Sequence, residues 1–243
     1  RGAQVKRILL QRIVRTRVQV NSKSDCPPGK TNVADVMAHL TPLELEILEE
    51  VARHPFLSCR DLTRLLDTRS EREMRRRLAS LRQASTLSVQ RVGHGQCLYT
   101  IGLTGLHILA WHWNESVAAL RRRLQIGPRQ FGFLQHTVEA NRFFLDALDA
   151  ARSTPGHVLE VWRSEGESRL SLAHGGRRYA LRPDGYGQYR IGELVYPFFL
   201  EWDRGTAVLS KYRQKFTLYA DYYAGLAQQL NSDTPAPALW VVT

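Results

Sequence analysis

Apolar positions along this chain change period several times, and each change predicts an element. From Thr41 to His54 they recur at helical spacing: Leu45, Leu48 and Val51 form a stripe, Thr41 is placed to cap, Pro42 suits the first helical position, and His54-Pro55 ends the run. Leu62, Leu65 and Leu66 predict a second, shorter helix from Ser58 to Leu66. A turn at Asp67-Thr68-Arg69 leads into a basic segment running from Thr68 to Arg82. Read as a helix at about 100° per residue, it sets Met74, Leu78 and Leu81 on one side and Arg69, Arg72, Arg76 and Gln83 on the other. The period then falls to two. Leu87–Val92 and Cys97–Ile101 are β-prone runs around Gly93-His94-Gly95, a hairpin signal, and a helix from Leu103 to Trp113 closes the unit. Three helices followed by a hairpin is the order of a winged helix-turn-helix, expected here over residues 41–113.

The flanking stretches read differently. Residues 1–40 form a basic N-terminal arm, in which Val5, Ile8, Leu9, Ile13 and Val14 could line a helix before Ser24-Asp25-Cys26-Pro27-Pro28-Gly29 breaks it. Residues 114–132 read as a linker with Arg121, Arg122 and Arg123 on a short helix and a boundary at Gly127-Pro128. Beyond it, residues 133–243 predict a second domain. Leu134, Val138, Phe143, Phe144, Leu145 and Leu148 mark a long helix; strand-like runs follow at Val158–Trp162, Arg178–Asp184 and Tyr196–Asp203; a helix spans Val208–Leu230; an apolar strand ends the chain. The order is helix, three strands, helix, strand, and the whole chain is of the α+β class.

Composition narrows the partner. The formal net charge is +11 and the isoelectric point about 10.0, which draws the chain toward polyanions without bearing on its fold. No uninterrupted apolar run is long enough to span a bilayer, so double-stranded DNA is favoured over a lipid surface. Cys26, Cys59 and Cys97 are odd in number, widely spaced and without a Cys-x-x-Cys pair. That pattern fits free thiols in a reducing cytoplasm better than disulfides or a zinc site. The basic first residues are not followed by the apolar core of a signal peptide, so a cytoplasmic location is expected.

Two groups of residues carry candidate chemistry. Arg69, Arg72, Arg75, Arg76 and Gln83 on the third helix, with Arg91 and His94 on the wing, are the candidate DNA contacts, because a guanidinium fork matches both phosphate oxygens and the O6/N7 edge of guanine. The alternative is a solvated arginine face, or a winged helix that docks protein. In the second domain Asp184 follows Arg182-Pro183, and Glu201 and Asp203 are two apart in a predicted strand, hence on one face. If the two strands are neighbours, three carboxylates converge, and such a cluster could hold magnesium and activate water against a phosphodiester. The alternative is that Asp203 pairs with Arg204 or Arg182 while Asp184 caps a turn.

Taken together, the Thr41–Trp113 winged helix, the segment Phe133-Leu134-Gln135-His136-Thr137-Val138-Glu139-Ala140-Asn141, Arg182-Pro183-Asp184-Gly185, and Phe199-Leu200-Glu201-Trp202-Asp203-Arg204-Gly205-Thr206 with the lysine- and tyrosine-rich helix after it resemble the replication-relaxation family of bacterial plasmids and integrative elements, over about residues 40–243. The resemblance implies a DNA-binding protein of replication, relaxation or mobilisation, and a second half like the restriction-endonuclease, PD-(D/E)xK-type core. In that pattern Asp184 and Glu201 match the acids that hold metal, here magnesium if any, while Asp203 stands where a lysine is expected. Lys211 and Lys215 on the next helix are candidates for a displaced lysine, and His136 for a neighbour of the cluster. Loss of cleavage with retention of DNA binding is the expectation, and a relaxase, a replication initiator or a second copy of the chain are the expected protein partners.

Overall fold

The computed structural model describes residues 33–92, 96–127, 133–174, 177–203, 209–229 and 236–242. The arm up to residue 32, the wing-tip His94, the Pro128 boundary, Arg204 and the Lys211 side chain lie outside them.

Helix α1 (Val33–His39) occupies what the sequence predicts as the end of the arm. Val33, Val36 and Met37 are partly buried against the neighbouring core, so this stretch docks instead of trailing. Helix α2 (Pro42–Arg53) starts as its caps dictate: the Thr41 hydroxyl accepts from the Glu44 N–H while the Glu44 carboxylate accepts from the Thr41 N–H. Ser58 and Asp61 form the same reciprocal box at α3 (Cys59–Leu65).

The basic helix α4 spans Glu71–Gln83 and so begins later than Thr68. Ser70 is extended and its hydroxyl caps the Glu73 N–H, while Asp67 holds a left-handed φ of 48°. Arg69 therefore lies ahead of the helix, off the face it was expected to share with Arg72 and Arg76. Met74, Leu78 and Leu81 are buried against Ile47, Leu48, Val51, Leu62, Leu106 and Leu109. Each large apolar side chain removed from water in this core contributes about 1.5–3 kcal/mol before chain entropy is counted.

Strands β2 (Leu87–Val92) and β3 (Gln96–Ile101) make the wing, in register from Leu87 opposite Ile101 to Val92 opposite Gln96. A two-residue strand β1 (Leu57–Ser58), too short to show a period in the sequence, pairs with Tyr99 and Leu98 to give the sheet order β1-β3-β2. Helix α5 (Leu103–His112) closes this winged helix-turn-helix, and α6 (Val117–Arg123) adds Leu120 to its core.

The rest is built on α7 (Leu134–Ser153) and a four-stranded sheet. Its strands are β4 (His157–Ser164), β7 (Gly185–Ile191), β8 (Leu194–Trp202) and β9 (Ala238–Val242), in that order, with β4/β7 and β7/β8 antiparallel and β8/β9 parallel. Strands β5 (Leu170–His174) and β6 (Arg177–Leu181) form a separate hairpin. Among the described residues five strands thus stand between the two long helices where three were expected. The predicted strand Arg178–Asp184 stops at Leu181; the antiparallel neighbour of β8 is instead β7, which carries alternate glycines. They are slots for rings: a Cβ on Gly185 would stand 2.4 Å from Phe144 Cε2, and one on Gly187 2.3 Å from Phe198 Cζ.

Along β8 the side chains alternate. Phe198 and Leu200 pack with Ala140 and Phe144 of α7, whereas Phe199 packs with Leu181 and with Tyr219 of α8 (Leu209–Gln229), so α7 and α8 cover opposite faces. The chain from Val33 onward is one compact unit. The Asn141 amide donates to the Pro55 carbonyl at 2.8 Å, and Arg64 of α3 is gripped by Asp146 and Asp149 of α7 at 2.7 and 2.8 Å. Buried His54 stacks on Trp162 at 3.8 Å, which makes an aromatic bridge from the winged helix to the sheet.

Candidate functional site

Two of the places where charge concentrates hold the candidate residues, and they are built in opposite ways. On α4 the buried triad turns the helix so that Arg72, Arg76, Arg82 and Gln83 face solvent, with Arg69 exposed just before it. Among the described residues none of these arginines has a carboxylate within ion-pair distance. Arg75 is also exposed, but Glu71 holds it at 2.7 Å. Arg77 is spent on Glu73 at 2.6 Å, and a longer contact of 3.8 Å reaches Glu44. Arg91 is exposed near the end of β2. The third helix of the module therefore presents Arg72, Arg76 and Arg82 to solvent with no ion pair among the described residues.

The second place lies at one end of the sheet. Asp184 precedes β7 instead of ending a strand, and its N–H donates to the Leu200 carbonyl at 2.9 Å, which sets it beside Glu201 near the end of β8. Glu201 is on the α8 side and only 6% exposed. From α8, Lys215 and Tyr219, one helical turn apart, both reach it: the Lys215 ammonium meets Glu201 Oε2 and the Tyr219 hydroxyl donates to Glu201 Oε1. Lys215 Nζ is also 3.8 Å from Asp184 Oδ1, and His136 Nε2 of α7 is 3.0 Å from the same oxygen. The other Asp184 oxygen accepts from the Trp202 N–H at 2.8 Å.

Asp203 does not enter this group. It lies just past β8, its N–H bonded to the Val242 carbonyl at 2.7 Å, and its carboxylate is a neighbour of the Tyr212 phenol, whose pKa it raises. The third carboxylate sensed by Asp184, His136 and Lys215 is Glu165, in the turn after β4, where no spacing marks it. Tyr219 was legible only as one tyrosine of the lysine- and tyrosine-rich helix.

Burial, and then the charge of Asp184, push the Glu201 carboxyl up to about 7. Burial works against Asp184 as well, but the His136 hydrogen bond and the Lys215 ammonium outweigh it and hold that carboxyl below its usual range. The Asp184 bond raises His136, and the two carboxylates keep Lys215 charged despite its burial. Near neutrality Asp184 is thus held charged, while Glu201 is shared between its charged and neutral forms beside the Lys215 ammonium.

Magnesium needs about six oxygen ligands in octahedral array. Both oxygens of Asp184 and both of Glu201 already have partners, and among the described residues no three His, Cys, Asp or Glu side chains are set to hold a metal ion. The residues do not fit a bound magnesium unless Lys215 first leaves Glu201.

A winged helix packed on a helix-covered mixed sheet, with basic residues outward on the first and a buried acid–lysine cluster in the second, defines the class of this molecule as a two-part α+β protein. The chain belongs to the replication-relaxation family, whose model matches residues 48–235. No curated protein matches it. Among solved structures it is similar to the adhesin competence repressor AdcR of Streptococcus pyogenes, with 16% identity over 60% of this chain and 94% of that one, at a TM-score of 0.31. It is also similar to a variant of ZitR from Lactococcus lactis, with 16% identity over 61% and 95% and a TM-score of 0.29. The superposition is loose at these scores, and no residue role transfers through it.

Proposed function

We propose that this chain is a sequence-specific double-stranded DNA-binding protein of a plasmid or other mobile element, acting in replication, relaxation or mobilisation. The observation that carries the reading is the exposed row on α4, where Arg72 and Arg76, opposite a buried apolar face, have no ion pair among the described residues. A third helix placed in the major groove would present those forks to base edges and phosphates, with Arg91 on the wing against the backbone. Among the described residues no helix is long and apolar enough to cross a membrane.

The test is Arg72→Ala with Arg76→Ala, measured on a duplex recovered by binding selection from random sequence. Each base-contacting arginine should cost about 1–3 kcal/mol and relax specificity at its position. Equal affinity of wild type and double variant through a salt series would overturn the reading. The selected site also reports symmetry, since a palindrome would indicate a dimer.

The second half we read as a PD-(D/E)xK-type core that no longer cuts. The sheet order β4-β7-β8-β9 with its parallel last pair supports the relation, and the engaged carboxylate oxygens support the loss of cleavage. One observation favours the rival, a metal-dependent endonuclease or nickase: Lys215 approaches both acids from α8, where a displaced catalytic lysine would stand. Supercoiled plasmid incubated with magnesium or manganese decides between them. We expect no conversion to nicked or linear DNA; cutting that Asp184→Asn or Glu201→Gln abolishes would install the enzyme reading.

A further inference from the structure

A second basic surface lies away from α4. Where the end of α6 meets the turn between β4 and β5, Arg122, Arg123, Arg163 and Arg169 line an open groove of about 400 Å³ together with Gly166 and Glu167. Its acidic member is already engaged: Glu167 sits 3.4 Å from Arg123, which Glu115 holds from the other side at 2.8 Å. Arg122, Arg163 and Arg169 are exposed and, among the described residues, have no ion-pair partner. Arg163 is steadied instead by the Tyr186 ring, its guanidinium carbon 5.4 Å from the centroid.

The floor is backbone. A Cβ on Gly166 would stand 3.1 Å from the Leu124 carbonyl, so the two turns are pressed together with no side chain between them. Leu120 and Leu124 anchor one wall in the winged-helix core, and the other wall is the sheet's own turn, so the groove exists only because the two halves pack. Three uncompensated guanidinium groups around a rigid concave floor focus positive potential on one spot, and their forked donors match the two free oxygens of a phosphodiester.

We infer that this groove is a second, sequence-blind contact for the phosphate backbone of nucleic acid, separate from the reading helix. The inference rests on the DNA-binding reading above. It assigns to the seam between the two halves, which Arg64, Asn141 and the His54–Trp162 stack hold together, the task of gripping backbone.

The test is Arg122→Gln with Arg169→Gln in the full chain, assayed by salt titration on a random-sequence duplex, with polyglutamate as competitor. Both side chains are exposed, so far-UV circular dichroism and urea midpoint should not change. Loss of two phosphate contacts should flatten the log–log salt slope by about 1.8, so that between about 50 and 200 mM salt the wild type loses about twelvefold more affinity than the variant. Equal slopes would overturn the groove and leave the winged-helix reading, which Arg72→Ala with Arg76→Ala tests separately. Wild-type protein that holds no duplex at about 50 mM salt would overturn both. Competition by polyglutamate as strong as by duplex, charge for charge, would reassign the groove to acidic polypeptide and overturn the nucleic-acid assignment.

Discussion

The basic side chains of α4 and of α8 meet opposite fates. Arg72 and Arg76 sit on a helix whose apolar face is fully used, so they point to water and keep their charge uncommitted. Lys215, although its side chain is 37% exposed, sits on a helix laid over Asp184 and Glu201, so its charge is paired with both. A net positive balance summed over the chain treats both alike. The difference teaches that charge is available for a ligand only where the fold has left it without an internal partner, and by that measure the winged helix is poised to bind and the acid cluster is satisfied.

The contrast can be broken or sharpened experimentally, and the largest effect should come from the seam between the two halves. Burial first, and then the charge of Arg53, lower His54 to about 3 from an ordinary 6.5. The unfolded chain therefore takes up a proton between these values that the folded chain refuses, and stability present above pH 6.5 is lost as pH falls toward 3. The loss approaches about 1.4 kcal/mol per pH unit. Replacing His54 with Phe keeps a ring against Trp162 and should remove this component, read as a flatter plot of urea midpoint against pH. An unchanged slope would show that the histidine is not held neutral.

A smaller effect is expected from Lys215→Met. It strips the cation from two buried acids and should destabilise the fold by about 1–3 kcal/mol, less than for a fully buried pair because the Lys215 side chain is 37% exposed. The loss should shrink on acidification toward pH 5, as Glu201, already pushed up to about 7, becomes neutral. The smallest effect on stability belongs to Arg72→Ala with Arg76→Ala: each change should stay within about 0.5 kcal/mol, while DNA affinity falls as stated above. A urea midpoint that moved with these two and not with Lys215 would reverse the comparison.

Local signals made the first half readable. Caps at Thr41 and Ser58, helical stripes and the hairpin runs on either side of residues 93–95 act over a few residues, and the structure follows them apart from the start of α4, where the Ser70 hydroxyl and left-handed Asp67 set the boundary. In the second half the same signals misled. The strand expected over Arg178–Asp184 stops at Leu181, and Gly185 and Gly187 begin another strand, kept small for Phe144 and Phe198, rings that arrive from 40 or so residues upstream and from the neighbouring strand. Glu165 carries no pattern at all.

By itself, the sequence determined the winged-helix order, the apolar and basic faces of α4, the long helices α7 and α8, and the inventory of acids and lysines, because periodicity, capping and composition are properties of neighbouring residues. Tertiary structure decided which charges remain free. It brought Lys215, Tyr219 and His136 to Asp184 and Glu201, sent Asp203 toward Tyr212, and assembled the Arg122–Arg163–Arg169 groove from two segments far apart in the chain. Pairing of charges depends on separation in space and on burial, and neither is written in the order of residues along the chain.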